Sequence, residues 1–257
     1  MDISGNTILI TGGGSGIGRA LAEAFQNAGN QVIIAGRRRQ VLDETVAANP
    51  GIKSAILDVE SSDGIRAFAE TIEKDYPSLN VVIHNAGIMR PENLLEQSND
   101  LSTVDATVAT NLLGPIRLTS ALLPLLRRQP KATIMTVSSG LAFIPLALTP
   151  AYCATKAAIH SYSQSLRYQL RSTNVEVIEL IPPKVQTELM GSAEANNPRA
   201  MPLKEFIEEA MTILKTNPNV TEVLVERVKP LRYAELNGVE KYEAFFKSFN
   251  DAVPAPH

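Results

Sequence analysis

The stretch TILITGGGSGIG, residues 7–18, decides the fold. Its first four residues are apolar and strand-like, and the helix after the glycines carries Leu21, Ala24, Phe25 and Ala28 on one face. A strand, a glycine turn and a helix form a phosphate cradle, because the missing side chains let the backbone approach a pyrophosphate that the helix amino terminus attracts. The stretch therefore predicts a dinucleotide site at Gly12, Ser15, Gly16, Ile17 and Gly18.

Strand and helix patterns alternate along the rest of the chain. Further strands are predicted at residues 31–35, 54–59, 80–84, 132–137, 175–180 and 221–225. Between and after them we expect helices, among them residues 102–128, a helix starting at Pro150, residues 203–214 and a C-terminal helix over residues 233–250. This alternation and the length of 257 residues predict a single α/β domain, residues 1–257.

Composition excludes several partners and compartments. The net charge of −3, with both signs interspersed, favours neither nucleic acid nor an anionic membrane surface. No apolar run is long enough for membrane insertion, and the amino terminus lacks the pattern of a signal peptide. The lone Cys153 agrees with a reducing compartment and is read as a small helix residue or, as the alternative, a reactive thiol. We expect a cytoplasmic protein without a metal site, and neither His160 nor His257 has an evident partner.

Four polar groups surround the segment from Thr133 to Lys156. The strand over residues 132–137 ends in Ser138 and Ser139, and the carboxyl ends of strands are where open α/β sheets bind ligands. Tyr152 and Lys156 are four residues apart, hence on one face of the next helix. An ammonium about 4 Å from a phenol would lower its pKa by roughly one to three units, which suits acid-base catalysis. The alternative is an ordinary surface tyrosine and lysine.

The second strand ends in three arginines, Arg37 to Arg39, without the acidic residue that grips the ribose of NAD. Guanidinium groups can receive a 2′-phosphate, so this run favours NADP(H) over NAD(H). Here the alternative is a solvated run of charge.

Other strand ends carry further candidates. Asp58, followed by Val59, is placed to bond an adenine amino group or to cap a turn. Asn85, Ala86 and Gly87 close the fourth strand, where Asn85 can tie strand ends together and Gly87 lets backbone lie against a ligand. Asn111 stands inside a predicted helix, where an amide is unfavourable unless its side chain has a task.

In this order and at these intervals, the glycine turn, residues 85–87, Asn111, Ser139, Tyr152 and Lys156 resemble the short-chain dehydrogenase/reductase family. The resemblance extends to about Thr187 and implies a Rossmann-type doubly wound parallel sheet in three αβα layers, with about seven strands. It also implies hydride transfer between a nicotinamide and a small-molecule carbonyl or alcohol by a homodimer or homotetramer.

The same resemblance implies roles for individual residues. Tyr152 would be the acid-base, Ser139 the clamp on the substrate oxygen, Lys156 the ribose ligand that modifies the phenol, and Asn111 the holder of a proton-relay water. Arg37 matches the family's NADP-selecting position. The implied cofactor contacts also include Asn85, Ala86, Gly87, Pro182, Val185 and Thr187.

Two departures from the family pattern stand out. Ser15 replaces the basic residue that some NADP users place in the glycine turn, and Pro183 replaces a family glycine. The double proline also resembles the family branch encoded in D-alanyl-lipoteichoic acid operons.

An apolar stretch and two later segments bear on the substrate. Residues 141–148 are almost free of polar groups and lie between Ser139 and Tyr152, so they predict a largely apolar substrate or a surface packed against a lid. Residues 188–201 lack periodicity and predict a substrate lid. An apolar stripe in the C-terminal helix, including Val239, Tyr242, Phe246 and Phe249, is expected to be buried over the lid or across a subunit boundary, and the alternative is that it packs on the core of its own subunit without a role in function. The expected substrate contacts are Ser139, Leu141, Phe143, Ile144, Tyr152 and Met190.

These features predict an NADP(H)-dependent oxidoreductase. Two other functions remain compatible with the same motifs. One is a non-catalytic NADP(H)-sensing regulatory protein, whose mark would be loss of Tyr152 or Lys156, and neither is lost. The other is an epimerase or dehydratase, which would cause no net oxidation of the cofactor.

Overall fold

The computed structural model describes residues 1–96 and 100–253, so His257 lies outside the described residues. One parallel sheet has the strand order β3-β2-β1-β4-β5-β6-β7. Its strands are β1 (Thr7–Thr11), β2 (Gln31–Gly36), β3 (Lys53–Ile56), β4 (Val81–His84), β5 (Ala132–Val137), β6 (Val175–Ile181) and β7 (Glu222–Leu224). The predicted Rossmann-type sheet is confirmed.

Helices cover both faces of the sheet. They are α1 (Gly16–Asn27), α2 (Arg39–Ala48), α3 (Ser62–Asp75), α4 (Ser102–Val108), α5 (Gly114–Arg127), α6 (Pro150–Leu170), α7 (Leu203–Thr216), α8 (Lys229–Arg232) and α9 (Val239–Asp251). None of the helices described is long and apolar enough to cross a bilayer.

Alternation along the central strands produces two cores. In β1, Ile8 and Ile10 join the cluster that contains Phe25 of α1 and Phe206 of α7. Leu9, on the opposite face, joins the residues of α3, α5 and α6. Because both faces are buried, the central strands carry continuous apolar runs, which are residues 8–10 of β1, 32–35 of β2 and 81–83 of β4.

The strand order reverses direction between β1 and β4. This switch point opens a crevice at the carboxyl ends of the strands, where doubly wound sheets bind ligands. The glycine turn after β1, residues 85–87 after β4 and Ser138-Ser139 after β5 all lie along this edge. The fold therefore brings the separate sequence motifs together at the carboxyl-end edge of the sheet.

The predicted helix over residues 102–128 is interrupted by a π-helical segment, Ala109–Leu113, which joins α4 to α5. Helices that contain π segments often carry them at functional sites. Asn111 lies at the middle of this segment.

The C-terminal region differs from the prediction of one helix over residues 233–250. A 3₁₀ turn, Ala234–Asn237, separates α8 from α9. The apolar stripe is not buried within the monomer, since Val239 is 74% exposed and Phe246 36%. Tyr242 and Phe249 are half-buried.

The segment predicted as a lid, residues 188–201, contains a 3₁₀ helix, Ser192–Asn196. An isolated bridge between Val185 and Met201 closes its base. The segment is thus a closed loop that starts and ends next to the end of β6.

Candidate active site

The glycine turn is shaped by its contact with the loop after β4. Gly12 has a φ of +66°, and a Cβ there would lie 2.9 Å from the Cα of Ala86. A Cβ on Gly18 would collide with the Asn85 side chain and the Gly12 carbonyl. Gly12 and Gly18 therefore allow the glycine turn to pack tightly on residues 85 and 86 of the loop after β4.

The amino terminus of α1 fits a phosphate. Ser15 is the N-cap residue, but its side chain makes no capping hydrogen bond, so the first amides of α1 lack that acceptor. Gly16 has a φ of +51°, and Thr187 approaches it from the loop after β6, 3.4 Å from where a Cβ would stand. A dinucleotide pyrophosphate would supply the anion that this helix end favours.

Asn85 ties β4 to the glycine turn. Its Nδ2 donates to the carbonyls of Thr11 (3.0 Å) and Gly12 (3.2 Å), and the Thr11 hydroxyl accepts from the amides of Asn85 and Ala86. The Asn85 side chain therefore holds the ends of β1 and β4 at a fixed separation.

The residues that follow β2 and β3 form an ion pair that the sequence did not indicate. Arg37 forms an ion pair with Glu60, with 2.7 Å between Nη1 and Oε1. The Asp58 carboxylate accepts from the Glu60 amide at 3.1 Å, so Asp58 caps a turn, which is one of its two predicted uses. Glu60 was not predicted as a site residue, and Val59 beside it is buried.

Ser139, Tyr152 and Lys156 meet at the end of β5. Ser139 and Tyr152 share a hydrogen bond, and Lys156 Nζ lies 5.5 Å from the centre of the Tyr152 ring. Lys156 Nζ also donates to the Val137 carbonyl at 2.8 Å. All three residues are buried, so their polar atoms have little contact with solvent.

Burial dominates the ionisation of this group. It raises the pKa of Tyr152 above its usual value, against the lowering effect of the hydrogen bond with Ser139. Burial lowers the pKa of Lys156 to about 8, while the charge of Glu179 acts in the opposite direction. The net shift of the Tyr152 pKa is therefore opposite to the predicted lowering, because desolvation of the phenol outweighs the effects that stabilise the phenolate.

Asn111 connects the loop after β4 to α6. Its Oδ1 accepts from the Ile88 amide at 2.9 Å, and its Nδ2 donates to the Ile88 carbonyl at 2.9 Å and to Thr155 Oγ1 at 3.2 Å. A Cβ on Gly87 would lie 3.4 Å from Asn111 Oδ1 and 3.8 Å from Lys156 Nζ. The side chain of Asn111 thus fixes the position of Gly87 beside the catalytic candidates.

A small apolar cluster surrounds Tyr152 on its other side. Leu146, Tyr152 and Cys153 form its buried part, and the partly buried residues packed on it are Met89, Leu141, Leu148, Phe249 and Val253. Burial raises the pKa of the Cys153 thiol, which favours its role as a small packing residue over a reactive thiol. Phe249 and Val253 come from the C-terminal end, far from the site in sequence.

Three expected substrate contacts do not join this cluster. The Phe143 ring packs edge-on against His160, at 4.7 Å, with the Arg232 guanidinium 4.6 Å from its centre. Ile144 is fully buried, and Met190 lies in the loop after β6. The sequence pattern of residues 141–148 could not distinguish the residues of this cluster from Phe143 and Ile144, because the segment is too irregular to have one apolar face.

His160 has partners, contrary to the sequence prediction. Its Nδ1 lies 2.8 Å from Oε2 of the fully buried Glu179, and Glu222 is next to Glu179 in the sheet register. These three residues could group around a metal ion. Arg232, however, already bonds both carboxylate oxygens of Glu222 at 2.8 and 2.9 Å. Arg232 thus compensates the charge of Glu222.

Comparison with known proteins gives a consistent assignment. A sequence model of the family described as short chain dehydrogenase matches residues 6–198. The chain is 39% identical over 253 residues to the uncharacterized oxidoreductase DltE of Bacillus subtilis strain 168, covering 97% of this chain and 98% of that protein. The predicted family resemblance, with its branch likeness, is confirmed.

Solved structures share the fold. A short chain dehydrogenase from Burkholderia cenocepacia J2315 in complex with NADP has a TM-score of 0.82 at 21% identity, covering 99% of this chain and 100% of the other. One from Burkholderia phymatum in complex with NAD has a TM-score of 0.77 at 18% identity, covering 100% and 99%.

Proposed function

The chain belongs to the short-chain dehydrogenase/reductase family of oxidoreductases, and from this premise we propose that it is an NADP(H)-preferring enzyme acting on a largely apolar carbonyl or alcohol. The observation that carries the proposal is the meeting of Ser139, Tyr152 and Lys156 at the end of β5, beside an apolar cluster. A buried hydroxyl that can exchange a proton is the requirement for this reaction.

The residues of the chain divide the work between them. When bound, the nicotinamide supplies or accepts the hydride. The Ser139 hydroxyl holds the substrate oxygen, and the Tyr152 hydroxyl gives that oxygen its proton during reduction or takes it during oxidation. Lys156 orients the ribose and keeps a positive charge near the phenol, which favours proton release. Asn111 keeps Gly87 and α6 in register around this centre.

The cofactor proposal rests on the same edge of the sheet. The amides at the start of α1 and the close packing of Gly12 and Gly18 fit a pyrophosphate. Arg37 stands at the end of β2 without a carboxylate in its own strand, which supports NADP(H). Solved relatives of this fold bound to NADP and to NADPH support the same choice, although one is bound to NAD.

The apolar residues around the site and the exposed residues of α9 support two further parts of the proposal, on the substrate and on the assembly. Leu141, Leu146, Leu148 and Phe249 would give the substrate an apolar wall. We further propose a cytoplasmic homodimer or homotetramer. The exposed Val239 and Phe246 of α9 would add apolar area to such an assembly.

A panel of carbonyl compounds tests the function through the loss of NADPH absorbance. We expect aldehydes and ketones with apolar substituents to be reduced and small polar ones to be poor substrates. Product analysis by mass spectrometry accompanies the panel. Conversion of a substrate without net change of NADPH would contradict the proposal and indicate an epimerase or dehydratase, and binding without conversion of any compound would indicate a sensor.

A further inference from the structure

Arg37, the cation assigned to the cofactor's 2′-phosphate, is held by a carboxylate of this chain. Parallel pairing of β2 with β3 places Gly36 beside Ile56, so the residues that follow the two strands come close together. Arg37 Nη1 lies 2.7 Å from Glu60 Oε1, and both side chains are partly open to solvent. Any phosphate that reaches this guanidinium has to share it with Glu60 or displace it.

Glu60 is fixed from several directions. Thr110 Oγ1, in the π segment, donates to the same Oε1 at 2.9 Å. Arg117 Nη1 donates to the Glu60 carbonyl at 3.2 Å, and the Glu60 amide is bonded to Asp58. Several other ion pairs of the described residues, such as Lys247 with Asp251, join neighbours within one helix. The pair of Arg37 and Glu60 instead links the ends of two strands to the π segment.

We propose that Glu60 is a cofactor-specificity residue that competes with the 2′-phosphate for Arg37 and so weakens the preference for NADP(H) over NAD(H). This inference rests on the proposed function, because it takes the assignment of Arg37 to the phosphate as given. A carboxylate beside the phosphate position repels the two additional negative charges of NADP(H), whereas NAD(H) has no charged group at that position. With Glu60 in place, Arg37 gives a smaller selectivity than an unpaired arginine would.

The test compares Glu60→Gln with the wild-type protein in binding. Glutamine keeps the shape and can still accept from Thr110, but it removes the charge. The probes are 2′,5′-ADP and 5′-ADP, which differ in the 2′-phosphate and lack the nicotinamide, measured by calorimetry. We expect the variant to bind 2′,5′-ADP about three- to ten-fold tighter and 5′-ADP within about two-fold of the wild type.

Two further variants isolate the cause. Glu73→Gln removes one exposed carboxylate that is paired with Arg128, so it matches the loss of charge and of an ion pair away from the site, and it should change neither affinity. In an Arg37→Gln background, Glu60→Gln should favour 2′,5′-ADP less than it does in the wild-type background, because the contested cation is gone and only the direct repulsion between Glu60 and the phosphate remains; an equal gain in both backgrounds would refute the competition.

The possible failures are distinguishable. If Glu60→Gln folds with an unchanged melting temperature but leaves the ratio of the two affinities unchanged, or tightens both probes equally, the competition is refuted and the proposed function stands. If the wild-type protein binds neither NADPH nor NADH, the proposed function fails, and the inference fails with it.

Discussion

Replacing Tyr152 with phenylalanine separates the chemical role of this residue from its structural role. The substitution keeps the ring that fills the cluster with Leu146 and Cys153 and removes only the hydroxyl that bonds Ser139. A lost hydrogen bond of about 0.5–1.5 kcal/mol would lower the melting temperature by only a few degrees in a chain of this size. Cofactor affinity should stay within about three-fold, because the hydroxyl acts on the substrate.

Turnover should respond far more strongly. General acid-base catalysis contributes about 10²–10⁴ in rate, so Tyr152→Phe should lower kcat by a factor in that range. Steady-state kinetics on the best carbonyl substrate, with calorimetry for NADPH, give both quantities. Tyr168→Phe is the matched control, since Tyr168 lies on the same helix, is 68% exposed and should leave turnover unchanged.

Near-normal turnover in Tyr152→Phe would refute the reasoning outright, whatever the stability of the variant. A loss of turnover together with a loss of cofactor binding and of many degrees of melting temperature would also contradict it. That pattern would mean that the hydroxyl acts by holding the site together.

Three other predictions follow from separate parts of the structure. Arg37→Asp should reverse the cofactor preference, and calorimetry should show about ten-fold weaker binding of NADPH with NADH unaffected or tighter. Burial lowers the pKa of His84 from 6.5 to about 4. Between these pH values the unfolded state binds more protons than the folded state does. The free energy of unfolding should therefore fall by up to about 3 kcal/mol as the pH drops from 6.5 to 4. Urea denaturation at several pH values should show this loss in the wild type and a smaller one in His84→Gln, and equal losses would exclude His84 as the cause. Asn250 of α9 accepts from the Ala147 amide (2.6 Å) and donates to the Pro145 carbonyl (3.1 Å), so it holds the loop before α6. Asn250→Ala should therefore raise KM about five-fold or more while kcat changes less. Ser248→Ala is the control, and an unchanged KM in Asn250→Ala would show that α9 does not position this loop for the substrate.

The sheet and the glycine turn could be predicted because their signals are local. A strand, a glycine run and an amphipathic helix follow one another within residues 7–28, and the same alternation continues through the chain. Boundaries were less accurate where side chains bond their own backbone. The strand predicted over residues 54–59 ends at Ile56, because the chain turns at Asp58 and its carboxylate caps the Glu60 amide.

The partners of the site residues could not be predicted from spacing. Glu60 follows Arg37 by 23 positions, and only the register of β2 on β3 brings them together. Asn250 reaches the loop before α6 across more than 100 positions. The π segment around Asn111 is equally hidden, since its apolar pattern is that of a continuous helix. Contacts of this kind depend on packing, which a single sequence does not display.

The ionisation of Tyr152 and Lys156 bears on how the rates of reduction and oxidation depend on pH. The spacing of Tyr152 and Lys156 alone puts an ammonium beside a phenol, and their mutual attraction favours the phenolate. In the structure Tyr152 and Lys156 are both buried, and Lys156 Nζ is bonded to the Val137 carbonyl. Desolvation therefore raises the pKa of the phenol and lowers that of the ammonium to about 8, so Tyr152 carries its proton across the neutral range. A protonated tyrosine is the form that gives a proton to a carbonyl oxygen, whereas oxidation of an alcohol needs the phenolate. If the chain has the proposed activity, we therefore expect the rate of carbonyl reduction to hold across the neutral range and the rate of alcohol oxidation to rise with pH, which pH profiles of both rates would check.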